Sequence, residues 1–307
     1  MRTIVTGGAG FIGSHLALRL AAVDHEVLVI DDLSKGKREN VGAAIQLAEV
    51  SVVSPEVERV IAEFRPDNVF HLAAQMDVRQ SVADPAFDAR VNVEGTVRVA
   101  GAAVRAGVKT FVFASSGGAI YGEQERFPAA EDHRRRADSP YGIAKGCAEL
   151  YLDYFGRGSR MRVVALRYAN VYGPRQDPHG EAGVVAIFAG KMLAGLTPTI
   201  YGDGRQTRDY VFVDDVVRAN LLALRHDQAQ GAYNIGTGLE TDLLQLAGAL
   251  RKATGYEGEI VHADAKPGEQ RRSVLDIGRA GRELHWQPQC DLDSGIRKTV
   301  EWFGGRR

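Results

Sequence analysis

The 307-residue sequence predicts an α/β protein in which a doubly wound parallel sheet is followed by a smaller, discontinuous α/β lobe. Three observations predict it. Residues 1–31 spell a complete βαβ unit. Beyond them, short and nearly continuous apolar runs alternate with helical patterns, as a parallel sheet covered on both faces requires. After Tyr168 the texture changes to Pro- and Gly-rich loops and short elements.

The first unit is the most informative. A short strand (Thr3, Ile4, Val5) leads into Thr6-Gly7-Gly8-Ala9-Gly10-Phe11-Ile12-Gly13 and then an apolar helix from Ser14 to about Ala22. A second strand, Val27-Leu28-Val29-Ile30, ends at Asp31. Gly7 and Gly8 permit a tight turn, Gly10 lets the backbone approach a pyrophosphate, and Gly13 lets the helix pack closely on the strand. The helix N-terminus presents N–H groups and partial positive charge to phosphates. Asp31 follows the glycines by about 20 residues, where a carboxylate accepts hydrogen bonds from both ribose hydroxyls. A 2′-phosphate at that spot would meet Asp31 and Asp32, so the expected cofactor is NAD rather than NADP. Strand, turn, helix, strand and acid in this order describe a Rossmann dinucleotide unit.

The remaining elements follow in order. A polar loop spans 33–40, a possible third strand lies near 46–53, and 57–64 has helical spacing that Pro66-Asp67 breaks. Residues 68–72 read as a buried strand, and one long helical pattern runs from Pro85 through Val104 to Gly107. Strand 110–114, helix 141–155 and strand 162–168 complete the sheet domain. The loop 170–183 precedes a helix at 184–193 and a short strand at 199–201. Residues 211–213 with helix 214–224 resemble a further sheet unit, before a strand at 233–235 and a helix at 243–254. The expected division is an NAD-binding domain at 1–168, with 209–230 returning to it, and a substrate lobe at 169–208 and 231–307.

Composition excludes several classes. A net charge of −1 argues against nucleic-acid or membrane-surface partners. Arg134, Arg135 and Arg136 form a basic run without interleaved aromatics, which suits a solvated loop. Cys147 and Cys290 are the only cysteines, so neither a disulfide framework nor a metal site is indicated. No apolar run reaches membrane-spanning length. The first strand starts almost at Met1, so no signal peptide and a cytoplasmic location are expected.

The catalytic candidates are Tyr141 and Lys145, which open a helix just after Pro140. At i and i+4 they share one helix face. A free tyrosine keeps its proton to a pKa of about 10. A neighbouring ammonium and the positive nicotinamide ring favour the phenolate, which makes Tyr141 a general base toward a hydroxyl. Lys145 can also bond the nicotinamide ribose.

These features together resemble the extended short-chain dehydrogenase/reductase family. The resemblance rests on Thr6–Gly13, Asp31, His71-Leu72-Ala73-Ala74, Ser115-Ser116, the Tyr141/Lys145 pair, Arg167-Tyr168-Ala169-Asn170-Val171-Tyr172-Gly173 and Arg208-Asp209-Tyr210-Val211. Within the family the sequence looks most like the UDP-hexose 4-epimerases. The resemblance implies that Gly7, Gly10, Phe11, Ile12, Gly13, Asp31, Asp32, Leu33, Ser34, Gly36, Leu72, Ala73, Ala74, Gln75, Tyr141, Lys145 and Tyr168 contact NAD. It implies oxidation at C4 to a 4-keto sugar and return of the hydride to the opposite face. It also implies a homodimer formed by the long 85–106 helix and the 141–155 helix, although core packing explains the same apolar spacing.

Two departures stand out. The family places a Ser or Thr where this chain has Gly117, so Ser116 is expected to take over the hydroxyl's role beside Tyr141. Ser51-Val52 replaces an Asp-Ile pair that relatives set against the adenine. Dehydratases carry Asp-Glu at the positions of Gly118 and Ala119, and decarboxylases carry a glutamate there, so both activities are disfavoured. On the substrate side the resemblance assigns Ser116, Tyr141, Asn170, Val185, Tyr201, Arg208 and Lys266 to the UDP-sugar. Lys266 loses an arginine's bidentate fork, which Arg271 or Arg272 is expected to supply. Serine at 273 leaves room for an N-acetyl group, keeping UDP-GlcNAc open beside UDP-glucose and UDP-galactose. UDP-glucuronate, other nucleotide-sugar oxidoreductions and a non-catalytic NAD-binding scaffold are the rival readings.

Overall fold

The computed structural model describes residues 1–178, 183–265 and 270–305. In chain order the elements are β1 (Arg2–Thr6), α1 (Phe11–Ala21), β2 (Glu26–Ile30), β3 (Gln46–Ala48), α2 (Glu56–Phe64), β4 (Asn68–His71), α3 (Val78–Ala83), α4 (Pro85–Ala89), α5 (Gly95–Arg105), β5 (Thr110–Ser116), α6 (Gly117–Ile120) and α7 (Pro140–Arg157). They continue with β6 (Arg162–Tyr168), β7 (Asn170–Tyr172), α8 (Val184–Leu193), β8 (Thr199–Tyr201), β9 (Thr207–Arg208), β10 (Tyr210–Phe212), α9 (Val213–Arg225), β11 (Gly231–Ile235), β12 (Thr241–Asp242), α10 (Leu243–Thr254), β13 (Val261–Ala263), α11 (Gly278–Glu283) and α12 (Leu292–Gly304).

Seven strands form one sheet in the order β11-β6-β5-β4-β1-β2-β3. Every pairing in it is parallel. The register aligns the carboxyl ends: Thr6 pairs with Ile30 and His71, His71 with Phe113, Ser116 with Tyr168, and Tyr168 with Ile235. Strand order reverses between β1 and β4, so a crevice opens at their carboxyl edge, where doubly wound sheets bind ligands. The two faces of the sheet are covered by separate apolar clusters, one built around Leu16, Val216 and Tyr233 and the other around Ile61, Val99 and Leu152.

Three points differ from the sequence reading. The long 85–107 pattern is not one α-helix: a π turn at Arg90–Glu94 separates α4 from α5. The sequence places α3 in no element, yet Asp77 caps it by accepting from the Gln80 N–H. The expected boundary at 230 is also too early. Residues 231–235 join the central sheet as β11, and Ala280, Leu284 and Trp286 pack in the same core. Alternating apolar spacing shows that a strand exists but not which sheet receives it.

The smaller lobe gathers α8, α10 and α12 around Phe188, Leu246 and Ile296. Its short strands pair as β10 with β7, β12 with β9, and β13 with β8. Asp209 stitches this lobe to the sheet edge: its buried carboxylate accepts from the Thr237 N–H and hydroxyl, both at 2.7 Å, and from the Gly238 N–H at 3.1 Å.

Candidate functional site

The turn after β1 is shaped by contact as much as by backbone freedom. Gly7 has a φ of +69°, and a Cβ there would lie 2.6 Å from the Ala73 nitrogen. A Cβ on Gly13 would lie 2.1 Å from the Gly7 carbonyl oxygen, so α1 packs directly on the turn. The first-turn N–H groups of α1, from Phe11, Ile12 and Gly13, point out of the helix end at this edge. Leu72 and Ala73 form the other wall, with both N–H groups donating to the Thr6 hydroxyl at 3.2 Å.

Asp31 sits just past β2, 7% exposed. Its carboxylate accepts from the Ala9 and Leu33 N–H groups, both at 2.9 Å. Burial pushes its pKa up, and the two amide bonds oppose that shift. The loop carrying Leu33, Ser34 and Gly36 folds tightly over it, since a Cβ on Gly36 would lie 2.7 Å from Asp31 Oδ1. Asp32 is bound by the Ser34 N–H and hydroxyl and by the Ser51 hydroxyl. Ser51 therefore fixes the second acid rather than standing idle in place of the family's aspartate. An open glycine turn, a helix N-terminus and a fixed carboxylate at the strand ends fit a dinucleotide with a free 2′-hydroxyl.

The reacting pair lies on α7. Ser139 caps this helix by accepting from the Gly142 N–H at 3.2 Å, and Pro140 occupies its first turn. Tyr141 and Lys145 thus enter the site from a rigid element. Lys145 Nζ donates to the Ala114 carbonyl at 2.9 Å, lies 4.8 Å from the Phe113 ring centroid and 5.8 Å from that of Tyr141. Burial pulls Lys145 down to about 8, against the pull of Asp88 and Glu149. Burial pushes Tyr141 up to about 12; a hydrogen bond from Ser116 opposes this and the Asp88 charge adds to it. This burial opposes the phenolate that the ammonium and the nicotinamide charge are together expected to favour. In the protein by itself the phenol stays neutral near pH 7, because the aromatic hydroxyl is desolvated while Lys145 points to a main-chain carbonyl.

Ser116 ends β5 beside α6, and its hydroxyl acts on the Tyr141 phenol to lower its pKa. Gly117 has no room for the usual side chain: a Cβ would lie 2.6 Å from Leu275 Cδ1 and 3.1 Å from the Arg167 carbonyl oxygen.

A model described as the NAD dependent epimerase/dehydratase family matches residues 3–236. The chain belongs to that family. Over 99% of its length it is 48% identical to the UDP-glucose 4-epimerase of Mycolicibacterium smegmatis, of which 98% is covered. A crystal structure of UDP-glucose 4-epimerase with UDP-glucose from Thermotoga maritima has a TM-score of 0.98 at 47% identity, covering 100% of this chain and 99% of that one. The UDP-glucose 4-epimerase of Thermus thermophilus in complex with NAD has a TM-score of 0.94 at 46% identity, with 99% of both chains covered.

In this member of the epimerase/dehydratase family, several expected contacts lie elsewhere than the sequence suggests. The Tyr168 ring is in the core and its hydroxyl pairs with Asn220, which leaves only its main chain at the sheet edge. The Gln75 side-chain amide turns inward, donating to Asp88 Oδ1 and the Asp77 carbonyl, each at 2.9 Å. The Val185 side chain is buried in the small lobe, leaving its N–H in the first turn of α8. Arg271 makes a bidentate pair with Asp203 at 2.8 Å, and Arg272 pairs with Glu240 and covers the Phe127 ring at 3.9 Å, so each guanidinium is held by a nearby acid. Lys266 lies outside the described residues. Asn170 is half-buried at the start of β7, Ala74 is half-buried beyond β4, Tyr201 is exposed on β8, and Arg208 donates to the Thr207 carbonyl. Ser273 is buried in the segment whose neighbour Leu275 bridges to Ala129.

Sequence reasoning in this family member missed two acids behind the site. Glu149, on α7, holds Arg167 in a buried bidentate pair at 2.9 and 2.7 Å and accepts from the Ser115 hydroxyl at 2.6 Å. Asp88 is 1% exposed on α4, where it is bonded by Gln75 and Asn92. A carboxylate set among apolar residues of a helical pattern was the available signal in both cases.

Proposed function

We propose that this protein is an NAD-dependent 4-epimerase of a UDP-hexose, interconverting UDP-glucose and UDP-galactose. The observation that carries the reading is the buried Tyr141/Lys145 pair on α7, with Lys145 held by Ala114 near the end of β5, on the same carboxyl edge of the sheet as Ser116, Asp31 and the Gly7–Gly13 turn. Asp31 would hold the adenosine ribose, and the amides of Phe11, Ile12 and Gly13 the pyrophosphate. NAD bound there supplies the acceptor, and then the donor, of one hydride. Tyr141, ionised once the nicotinamide's positive charge lies beside it, would take the proton from the sugar's 4-hydroxyl and return it after the 4-keto sugar has turned over. Ser116 stabilises the ionised phenol by donating to its oxygen. Lys145, held by Ala114, adds positive charge beside the phenol and reaches toward the nicotinamide ribose. Arg208, Lys266, Asn170, Tyr201 and the Val185 main chain are the proposed contacts to the UDP group. The test is conversion of UDP-galactose by the purified protein without added reductant. UDP-glucose should form with no net change in NADH; product that forms only with stoichiometric consumption of NAD(P)H would overturn the reading.

We also propose a homodimer working in the cytoplasm. Along α7, Ile143, Leu150 and Tyr154 are 62%, 58% and 64% exposed at a spacing that forms one stripe, and Val82 and Phe87 are exposed on the neighbouring α3 and α4. Apolar side chains this exposed along one helix face favour burial against a second copy. Both cysteines are free thiols, as suits a reducing compartment. Among the described residues no helix is long and apolar enough to cross a membrane. The double variant Leu150→Asp, Tyr154→Asp should convert a two-chain species to a one-chain species in light scattering. A parent protein that is already a monomer would refute the dimer.

A further inference from the structure

Behind the reacting pair lies a polar unit built from Gln75, Asp88 and Asn92. The Gln75 and Asn92 side chains both donate to Asp88 Oδ1 at 2.9 Å, and the Asn92 side chain also donates to the Gln75 carbonyl at 2.8 Å. The π turn between α4 and α5 carries Asn92, whose carbonyl accepts from the Thr96 hydroxyl at 2.7 Å. Thr96 in turn contacts His71 on β4 at 3.0 Å. Asp88 Oδ2 and Asn92 Oδ1 are buried and have no hydrogen-bond partner among the described residues. Burial raises the Asp88 pKa, the Gln75 and Asn92 donors and the Lys145 charge oppose that shift, and the unit so places a buried carboxylate on α4, an element that packs against α7.

We infer that Asp88 is a positioning residue for the reaction, a buried counter-charge that fixes Lys145 as an ammonium beside the Tyr141 phenol. The inference rests on Tyr141 and Lys145 being the reacting pair. Of the two acids whose charge acts on Lys145, Asp88 has no salt-bridge partner among the described residues. Glu149, one turn along α7, is already paired with Arg167 and Arg135. Burial pulls His71 down to about 3, so it carries no charge near neutrality. From β5 only the Phe113 ring and the Ala114 carbonyl reach the ammonium. Around Tyr141 the Ser116 hydroxyl and the Asp88 charge act in opposite directions.

The sign of the effect follows. An anion close to both groups raises the pKa of each, holding the lysine charged and the phenol protonated. Asp88→Asn keeps the shape and removes the charge, so both groups should titrate at lower pH. The experiment uses the NAD-loaded enzyme. Phenolate absorbance of the parent minus that of Tyr141→Phe gives the Tyr141 titration without substrate; the same difference is taken for D88N against D88N with Y141F. The pH profile of kcat is measured in parallel. In D88N the Tyr141 titration and both limbs of the profile should move to lower pH by about one unit. A reduced kcat with titration and limbs in place, or a shift to higher pH, overturns the inference. If D88N loses its dinucleotide, Asp88→Ser provides the same readout; loss in both variants makes Asp88 a binding or folding element and also overturns it. A parent enzyme inactive on UDP-hexoses would defeat the functional reading, while the substrate-free titration would still decide the role of Asp88.

Discussion

Tyr141→Phe is expected to lower kcat on UDP-galactose by about 10²–10⁴-fold, the usual contribution of a positioned acid–base group, while the protein keeps its NAD. The substitution removes one oxygen and keeps the ring. It deletes the acceptor of the sugar proton and the partner of Ser116. It leaves the Asp31 carboxylate on the Ala9 and Leu33 amides and leaves Lys145 on the Ala114 carbonyl. Dinucleotide released on denaturation should therefore match the parent mole for mole. A variant that retains most of the parent's turnover removes Tyr141 from the chemistry. A variant that is inactive because it has lost NAD shows instead that the phenol serves binding.

Glu149→Ala should destabilise the fold by about 3–5 kcal/mol, as expected when one partner of a buried ion pair is removed. The Arg167 side chain is 5% exposed and that of Glu149 8%, so water cannot replace the lost carboxylate. Arg167 would keep its contacts to the Tyr121 hydroxyl and the Glu131 carbonyl, both at 2.9 Å, which leave its charge uncompensated. The double variant Glu149→Met, Arg167→Leu should be more stable than Glu149→Ala alone, because it removes both charges and retains apolar volume. Urea unfolding midpoints check the order. Equal midpoints for the parent and Glu149→Ala would show that the pair does not clamp α7 to β6.

The sheet domain was legible because its signals are local. The glycine turn, the β1 and β2 runs and the acid after β2 each follow from a few adjacent residues, and β6 spans the expected 162–168. Tyr141 and Lys145 could be paired from spacing alone because Pro140 fixes where their helix starts. Placements that depend on three-dimensional context were not legible. Arg271 and Arg272 are cations near a phosphate motif in sequence, yet Asp203 and Glu240 lie 68 and 32 residues away and claim them. Tyr168 stands in a binding motif, but its hydroxyl is directed by Asn220 on α9. The phenol's protonation depends on burial, which a Tyr-x-x-x-Lys pattern does not encode. Asp88 was hidden for a related reason: the π turn that sets its partners changes the helical period within an apparently regular pattern.

The Leu275 side chain fills the space above Gly117 and couples what these two positions can hold. A serine at 117 in the present background would collide with a fully buried leucine and with the Arg167 main chain before it could reach any substrate. Trimming Leu275 first would leave a void, itself destabilising by about 2–5 kcal/mol. Either single change therefore costs stability, so a hydroxyl at 117 is accommodated only together with a smaller side chain at 275, and the two positions act as one packing unit.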